Sequence, residues 1–416
     1  MTLNGAQGIL GINGLGRIGK LTLWHEAGNQ RFERLVVNTG REVGQDIDAV
    51  IRYLSSDSTY GSLGRFLYGH NGPWRCIKIL DRDAKLLSIN DVEIKILTEH
   101  RNPKDIGWAE HGARIVIDTT GRFRDPILPA GHPGGSIQGH LEAGAQLVLI
   151  SSAFKMKDKS ARIPDDSAML IYGINHDAFD PRAHCIVSAA SCTTTALAHM
   201  MLPLLDHELT HTMLTASMST VHASTNSQSV LDSVPKTGTS DLRKNRSVFN
   251  NIILTSTNAA AALEYVMPEI ATIGFLADSV RVPLNTASLI ILNCTFQSKL
   301  DEYGNALINR RSVNEIFAEY AKNPDSGVLF TIEQSVSSDM IGEPAAVIIE
   351  GSETHARTGF TRVNLAELGL TELDPEHLEV EVPVTHLKLF GWYDNELGSY
   401  TRRMSQLCHY MADRLG

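Results

Sequence analysis

The chain has 416 residues, 43% of them hydrophobic and 20% charged, with a formal net charge of −10. That length and mixture belong to a soluble globular protein of two or three domains with a sizeable core. The acidic balance speaks against a nucleic-acid partner, which needs a basic footprint, and no apolar run reaches the roughly 18 residues of a membrane helix.

The chain therefore carries the expectation of no nucleic-acid and no membrane partner. At its start, Gly5 to Gly8 leads straight into an apolar strand with no secretory leader ahead of it, and a cytoplasmic location is expected. The five cysteines, Cys76, Cys185, Cys192, Cys294 and Cys408, are few, widely spaced and odd in number, with no C-x-x-C pair. Separate thiols in a reducing compartment fit this better than a disulfide framework.

The first segment reads strand, glycine loop, helix, strand. Ile9 to Ile12 is a short apolar run. Gly14-Leu15-Gly16-Arg17-Ile18-Gly19 follows as a G-x-G-x-x-G, and Ile18, Leu21 and Trp24 then carry a helical pattern. The motif is weak alone, but between a strand and a helix it is the dinucleotide fingerprint. Gly14 permits the tight turn, Gly16 lets the backbone approach a pyrophosphate, and Gly19 lets helix and strand pack closely. The anion then meets the N–H groups and positive end of the helix.

The next strand, Leu35 to Asn38, should end at a carboxylate for the adenosine ribose. Thr39 stands there, with Arg41 two residues on. A threonine does not repel a 2′-phosphate and an arginine pairs with one, so NAD or NADP is expected as cofactor, with Glu42 or a backbone group as the alternative partner of the ribose. Strands follow at Val92 to Leu97, Ile115 to Asp118 and Leu147 to Ser151, and strands alternating with helices imply a doubly wound parallel sheet. Pro126 to Gly139, loaded with Gly and Pro, reads as a surface insertion.

A domain break is expected near Ser188. Beyond it, Ser191-Cys192-Thr193-Thr194-Thr195 opens an apolar helix from Thr194 to Leu205. A cysteine at a helix N-terminus sits in positive potential, which favours the thiolate. The other four cysteines read as structural. Met213 to Val221 and Ser288 to Phe296, rich in Thr, Val, Ile and Ser, read as longer strands, with a helix from Thr257 to Met267 between them. His222 closes the first of these strands; alone it reads as a structural histidine. Gly351 to Glu379, mostly charged and polar, reads as a second surface insertion.

These blocks together resemble the glyceraldehyde-3-phosphate dehydrogenase family over nearly the full length. Ile12 to Gly19, Asp57-Ser58-Thr59, Ser191 to Thr194, Val221-His222-Ala223, Arg281-Val282-Pro283, Ser337-Ser338-Asp339 and Trp392 to Glu396 occur in the family's order at roughly its spacing. The resemblance implies an α/β fold: a Rossmann-type doubly wound parallel sheet in an NAD(P)-binding domain over 1–190, completed by the C-terminal helix of 394–416, and an α+β catalytic domain over 191–393. It implies Cys192 as nucleophile and His222 as its base. Gly14, Gly16, Arg17, Ile18, Gly19, Thr39, Arg41, Arg101, Ser151 and Asn395 fall to the cofactor, with Asn395 fixing the nicotinamide carboxamide. Ser191, Thr193, Thr225, Lys244, Thr257, Asn258 and Arg281 fall to phosphate groups. The expected reaction oxidises glyceraldehyde 3-phosphate, with inorganic phosphate, to 1,3-bisphosphoglycerate through a cysteine thioester. The expected assembly is a homotetramer.

The chain also departs from the family's pattern. Thr195 replaces an asparagine, Lys244 an arginine flanked here by Arg243 and Arg246, Asn258 a glycine, and Ser399 a tyrosine, with Tyr400 adjacent. Lysine keeps charge but loses the bidentate fork. These changes leave room for erythrose 4-phosphate or another phospho-aldehyde as substrate, or for a regulatory homologue without turnover. A rival from another class is a zinc peptidase, since His207-Glu208-Leu209-Thr210-His211 spells H-E-x-x-H; it needs one helix presenting both histidines to a metal, and a strand-like run follows at once. No metal is expected.

Overall fold

A computed structural model of the chain describes residues 8–158, 160–225, 228–235, 237–369 and 378–416. Gly5, Asn226 and part of the stretch read as a second insertion, 370–377, lie outside the described residues. The chain divides into two compact units: one runs through Thr195 and takes in Ile341–Pro344 and Asp394–Gly416, the other holds Ala196–Met340 and Ala345–Tyr393. The expected break near Ser188 lies a few residues before this division, which falls in the first turn of a helix, Cys192–Asp206.

The first unit is built on a nine-stranded sheet. Its order is Ser167–Met169, Ile186–Ser188, Leu147–Ile150, Ala113–Asp118, Ile9–Asn13, Arg34–Asn38, Val92–Leu97, Leu86–Ile89 and Ile77–Asp81. The first seven run parallel, and the last two add an antiparallel meander at the edge. Side chains of a strand alternate between faces, and here both faces are buried. Leu35 and Val37, Ile115 and Ile117, Leu147 and Leu149 pack on one face with Trp24 of the helix Arg17–Asn29 and Leu407 and Met411 of the helix Arg402–Leu415. Val36, Val116, Val148 and Ile150 pack on the other, with Trp108, Phe123 and Ile137. Continuous apolar strands are what a sheet covered on both sides requires.

Ile137 belongs to the stretch expected as a surface insertion. Gly135, Ser136, Ile137 and Gly139 are buried, and the helix Gln138–Glu142 begins there. The C-terminal part of that stretch is thus part of the core, while Ile127, Pro129, Gly131, Pro133 and Gly134 are exposed.

The second unit holds an eight-stranded mixed sheet, ordered Ile253–Thr255, Gly274–Val282, Met213–Ala223, Ser288–Gln297, Glu379–Tyr393, Val347–Glu350 and Val328–Thr331, with His355–Asn364 also paired to Glu379–Tyr393. Met213–Ala223 runs parallel to Gly274–Val282 and antiparallel to Ser288–Gln297. Buried and partly exposed residues alternate along Ser288–Gln297, the mark of a sheet with one face on a core. The second expected insertion is a ribbon. His355–Asn364 pairs antiparallel with Glu379–Tyr393 over ten residue pairs, and its charged side chains lie exposed.

Candidate active site

The glycine loop joins Ile9–Asn13 to the helix Arg17–Asn29, whose N-cap is Gly16. Gly14 has φ +98, a left-handed conformation that suits glycine, and its N–H donates to the Asn38 carbonyl at 2.8 Å. A Cβ on Gly14 would stand 3.0 Å from the Thr120 methyl, and one on Gly19 would collide with the Gly14 carbonyl. A Cβ on Gly16 would meet nothing within 4 Å. Gly14 and Gly19 are therefore small for the protein's own packing, whereas Gly16 faces open space. The N–H groups of Arg17, Ile18 and Gly19 begin a helix and have no preceding turn to bond. The loop fits a dinucleotide pyrophosphate.

The Arg17 side chain does something else. Its guanidinium pairs with Asp57 and Glu396, and Lys20 Nζ donates to Asp57 at 3.0 Å. Tyr60 donates its hydroxyl hydrogen to Asp394 at 2.7 Å, and Asp394 also accepts the N–H groups of Glu396 and Gly342. This network ties the glycine-loop helix to the turn that carries Asn395, which is buried. The Arg17 guanidinium is thus engaged with two carboxylates.

Just past the strand Arg34–Asn38, the Thr39 hydroxyl bonds the Leu97 and Arg41 carbonyls, at 3.0 and 2.6 Å. Arg101 Nε donates to the Gly40 carbonyl at 3.0 Å, bringing Arg101 beside Thr39. Arg41 is exposed and makes no ion pair among the described residues. Glu42 is occupied: one carboxylate oxygen accepts from Lys85 at 2.6 Å and Thr98 at 2.9 Å, and these bonds hold its carboxyl below the usual range. Ser151 follows the strand Leu147–Ile150, and its N–H donates to the Asp118 carbonyl.

Beneath this edge lies a buried polar chain that residue-by-residue reading missed. The Trp108 indole donates to His140 Nδ1 at 2.9 Å. An indole N–H can only donate, so His140 carries its proton on Nε2 and gives it to Asp118 at 3.1 Å. Asp118 accepts in turn from Asn13 at 2.7 Å and from the Thr120 N–H and hydroxyl. Asn38 donates to Asn13 at 2.9 Å. One buried carboxylate thus holds the ends of three neighbouring strands.

Cys192 is the first residue of the helix Cys192–Asp206, and Ser191 caps it: the Ser191 hydroxyl oxygen accepts the Thr194 N–H at 3.2 Å and is 2.8 Å from the Thr194 hydroxyl. Cys192 is half-buried and Thr193 buried. The other thiols are disfavoured as thiolates. Burial pushes Cys76 and Cys294 up; burial and Asp166 push Cys185 up to about 11; burial and Glu26 push Cys408 well above its ordinary value.

His222 lies in the strand Met213–Ala223, register partner of Arg281 in Gly274–Val282. Its Nδ1 donates to the Ala223 carbonyl at 2.7 Å, which leaves Nε2 as the basic nitrogen, and Arg281 donates to the same carbonyl at 3.1 Å. Burial and the Arg281 charge push the imidazole down to about 3 against the pull of that carbonyl. Thr225 follows on the same strand end, its hydroxyl donating to Gln228 at 2.9 Å. Lys244 stands on the turn Leu242–Asn245, exposed and without an ion pair among the described residues, while Arg243 and Arg246 are paired to Asp241 and Asp232. Thr257 and the exposed Asn258 precede the helix Ala259–Val266, and the Thr257 hydroxyl accepts the Ala259 N–H. Lys244, Thr257 and Asn258 stand on elements separate from the His222 strand.

The H-E-x-x-H string forms a turn, not a helix: the Thr210 and His211 N–H groups both reach the His207 carbonyl, and both histidine Nδ1 atoms bond local backbone. It lacks the helical face a peptidase zinc site needs. Among the described residues no group of three or more His, Cys, Asp or Glu could hold a metal, and no helix is long and apolar enough to cross a membrane.

Two family models match. One, described as the NAD binding domain of glyceraldehyde 3-phosphate dehydrogenase, matches residues 9–126; the other, the C-terminal domain of the same enzyme, matches residues 191–366. The chain is 31% identical to a glyceraldehyde-3-phosphate dehydrogenase of Streptomyces coelicolor over 412 residues, covering 98% of this chain and 99% of that protein. It is 32% identical to the one of Kitasatospora aureofaciens over 410 residues, 97% and 99% of the two chains. It is 29% identical to glyceraldehyde-3-phosphate dehydrogenase 2 of Bacillus subtilis over 406 residues, 97% and 96% of the two chains.

Proposed function

The chain belongs to the glyceraldehyde-3-phosphate dehydrogenase family, and from that premise we propose that it oxidises glyceraldehyde 3-phosphate to 1,3-bisphosphoglycerate, with NAD or NADP and inorganic phosphate, through a thioester on Cys192. It is an oxidoreductase that acts on an aldehyde with a nicotinamide cofactor. The observation that carries the finer reading is Cys192 at the capped start of an apolar helix, partly open, while the other four thiols are pushed away from ionisation.

In this reading the Cys192 sulfur attacks the aldehyde carbon; a carbon–sulfur bond forms, the carbonyl π bond breaks, and the proton given up by the thiol ends on the former carbonyl oxygen, giving a hemithioacetal. A bound nicotinamide supplies what no side chain here can, an acceptor for hydride. His222 Nε2 takes the hydroxyl proton as the carbon is oxidised, leaving a thioester; burial and the Arg281 charge keep the imidazole unprotonated, with Nε2 open to a proton. A phosphate oxygen then attacks the thioester carbon and the Cys192 thiolate leaves. The Cys192 N–H stabilises the oxyanion, joined by His222 once its Nε2 carries the proton taken from the hydroxyl. Asn395 holds the carboxamide, and Thr39, Arg41, Arg101 and Ser151 line the cofactor's course from the glycine loop. Thr193, Thr225, Lys244, Thr257, Asn258 and Arg281 serve the phosphates, Lys244 being a cation with no ion pair among the described residues; Ser191 contributes through its cap.

The reading includes a homotetramer in the cytoplasm. Val230, Leu231, Val234, Phe249, Ile252 and Leu254, all exposed, give the chain an apolar surface suited to another subunit. The test is formation of NADH and NADPH from glyceraldehyde 3-phosphate with and without phosphate or arsenate. Turnover that depends on the anion supports the proposal; equal turnover without it assigns another acyl acceptor, and none at all removes the substrate.

A further inference from the structure

A left-handed residue separates the strand Ile186–Ser188 from the Cys192 helix. Ala190 has φ +53, a region unfavourable to any L-residue and one that persists only where surroundings impose it. Three bonds hold it here. The Ala190 N–H donates to Ser188 Oγ at 3.1 Å, and Ser188 Oγ donates its own hydrogen to the Ser152 carbonyl at 2.8 Å. On the other side, the Ala190 carbonyl accepts from the Tyr400 hydroxyl at 3.2 Å. The next residue is the cap Ser191, and the one after is Cys192.

Tyr400 reaches that carbonyl from an unusual turn. Leu397–Thr401 is a π-turn in which the Thr401 N–H spans five residues to the Glu396 carbonyl at 2.9 Å. A single π-turn inserts one residue into a helix and re-aims the side chains that follow. Tyr400 is buried, and so is every other residue of the turn. Burial and the neighbouring Cys192 charge hold the phenol well above its ordinary value, so the group remains a donor.

We propose that Tyr400 is a positioning residue for the nucleophile: its hydroxyl, bonded to the Ala190 carbonyl, fixes the left-handed turn that delivers Cys192 to the first position of its helix. The proposal rests on the assignment of Cys192 as nucleophile. It makes the π-turn a functional part of the site, because the reach from the C-terminal segment to Ala190 depends on it.

Tyr400→Phe removes one oxygen and keeps the ring. Alkylation of Cys192 by iodoacetamide, followed by mass on its peptide, should slow roughly tenfold, about what one buried hydrogen bond is worth. The turnover number should fall with it, while KM for aldehyde and for nicotinamide cofactor stays within about twofold. Ser188→Ala, which acts on the other side of Ala190, should move both readouts in the same direction. Equal alkylation rates in Tyr400→Phe and the parent protein, or a rise in cofactor KM at unchanged turnover number, would overturn the proposal. The peptide readout does not depend on turnover: if Cys192→Ser kept activity, the functional reading would fall, and alkylation would still decide whether Tyr400 orders that thiol.

Discussion

Thiol reactivity follows from local electrostatics, and the five cysteines differ in theirs. Cys192 has a helix N-terminus and partial exposure, whereas Cys185 stands beside a carboxylate, and Cys294 and Cys408 are buried. Iodoacetamide near neutral pH should therefore modify Cys192 first, with peptide mapping to rank the five; faster labelling of Cys76 or Cys185 would contradict a tuned thiolate at 192. Cofactor choice is set by residues just as local. Thr39 bonds backbone carbonyls through its hydroxyl, Glu42 is held by Lys85 and Thr98, and Arg41 makes no ion pair among the described residues. Thr39→Asp should shift preference toward NAD, and Arg41→Ala should weaken NADP more than NAD, each by a few kcal/mol at most at this partly solvated edge, measured as kcat/KM ratios. Strong use of NAD with none of NADP by the unmodified protein would show that a backbone group serves the ribose. The helix-opening place of Cys192 and the Thr39-to-Arg41 turn were legible in the sequence because each is a local pattern, unlike the hold of Lys85 and Thr98 on Glu42. The Trp108–His140–Asp118 chain and the Tyr400–Ala190 bond were not, because they join residues far apart along the chain.

At the scale of elements, the three glycines of the loop make a controlled comparison. Gly19→Ala forces a methyl against the Gly14 carbonyl. It should lower Tm by several degrees and abolish cofactor binding together. Gly16→Ala meets no protein atom. It should leave Tm within a degree or two yet weaken the cofactor roughly tenfold or more, because only the pyrophosphate needs that space. Calorimetry and titration on both variants decide this; a Gly16→Ala protein that binds cofactor normally would contradict the assignment of that space. Sequence pattern located the strands well, since apolar runs and alternation report burial directly, as in Val92–Leu97 and Ser288–Gln297. It misjudged one segment and left the strand in another unread. Residues 126–139 read as a surface insertion because Gly and Pro dominate, yet Ile137 plugs the core. The ribbon strand His355–Asn364 has charged side chains exposed along it, so no alternation could announce it.

Across the whole molecule, one buried group should shape the response to acid. His222 titrates at about 3 in the folded protein against an ordinary 6.5. The unfolded chain takes up a proton there that the folded chain refuses, so the stability from this site is complete above about pH 6.5 and is lost as pH falls toward 3. His222→Asn removes that proton uptake and should flatten the loss of stability between these limits, read as Tm against pH; an unchanged acid limb would mean that other groups govern it. The central claim is the covalent intermediate on Cys192. Its most direct test mixes enzyme, cofactor and glyceraldehyde 3-phosphate without phosphate and follows both reduced cofactor and the mass of the Cys192 peptide. The account predicts a burst of about one reduced cofactor per subunit, an acyl group on Cys192, and its release as acyl phosphate on adding phosphate. No burst, or a burst of equal size in Cys192→Ser, would contradict it.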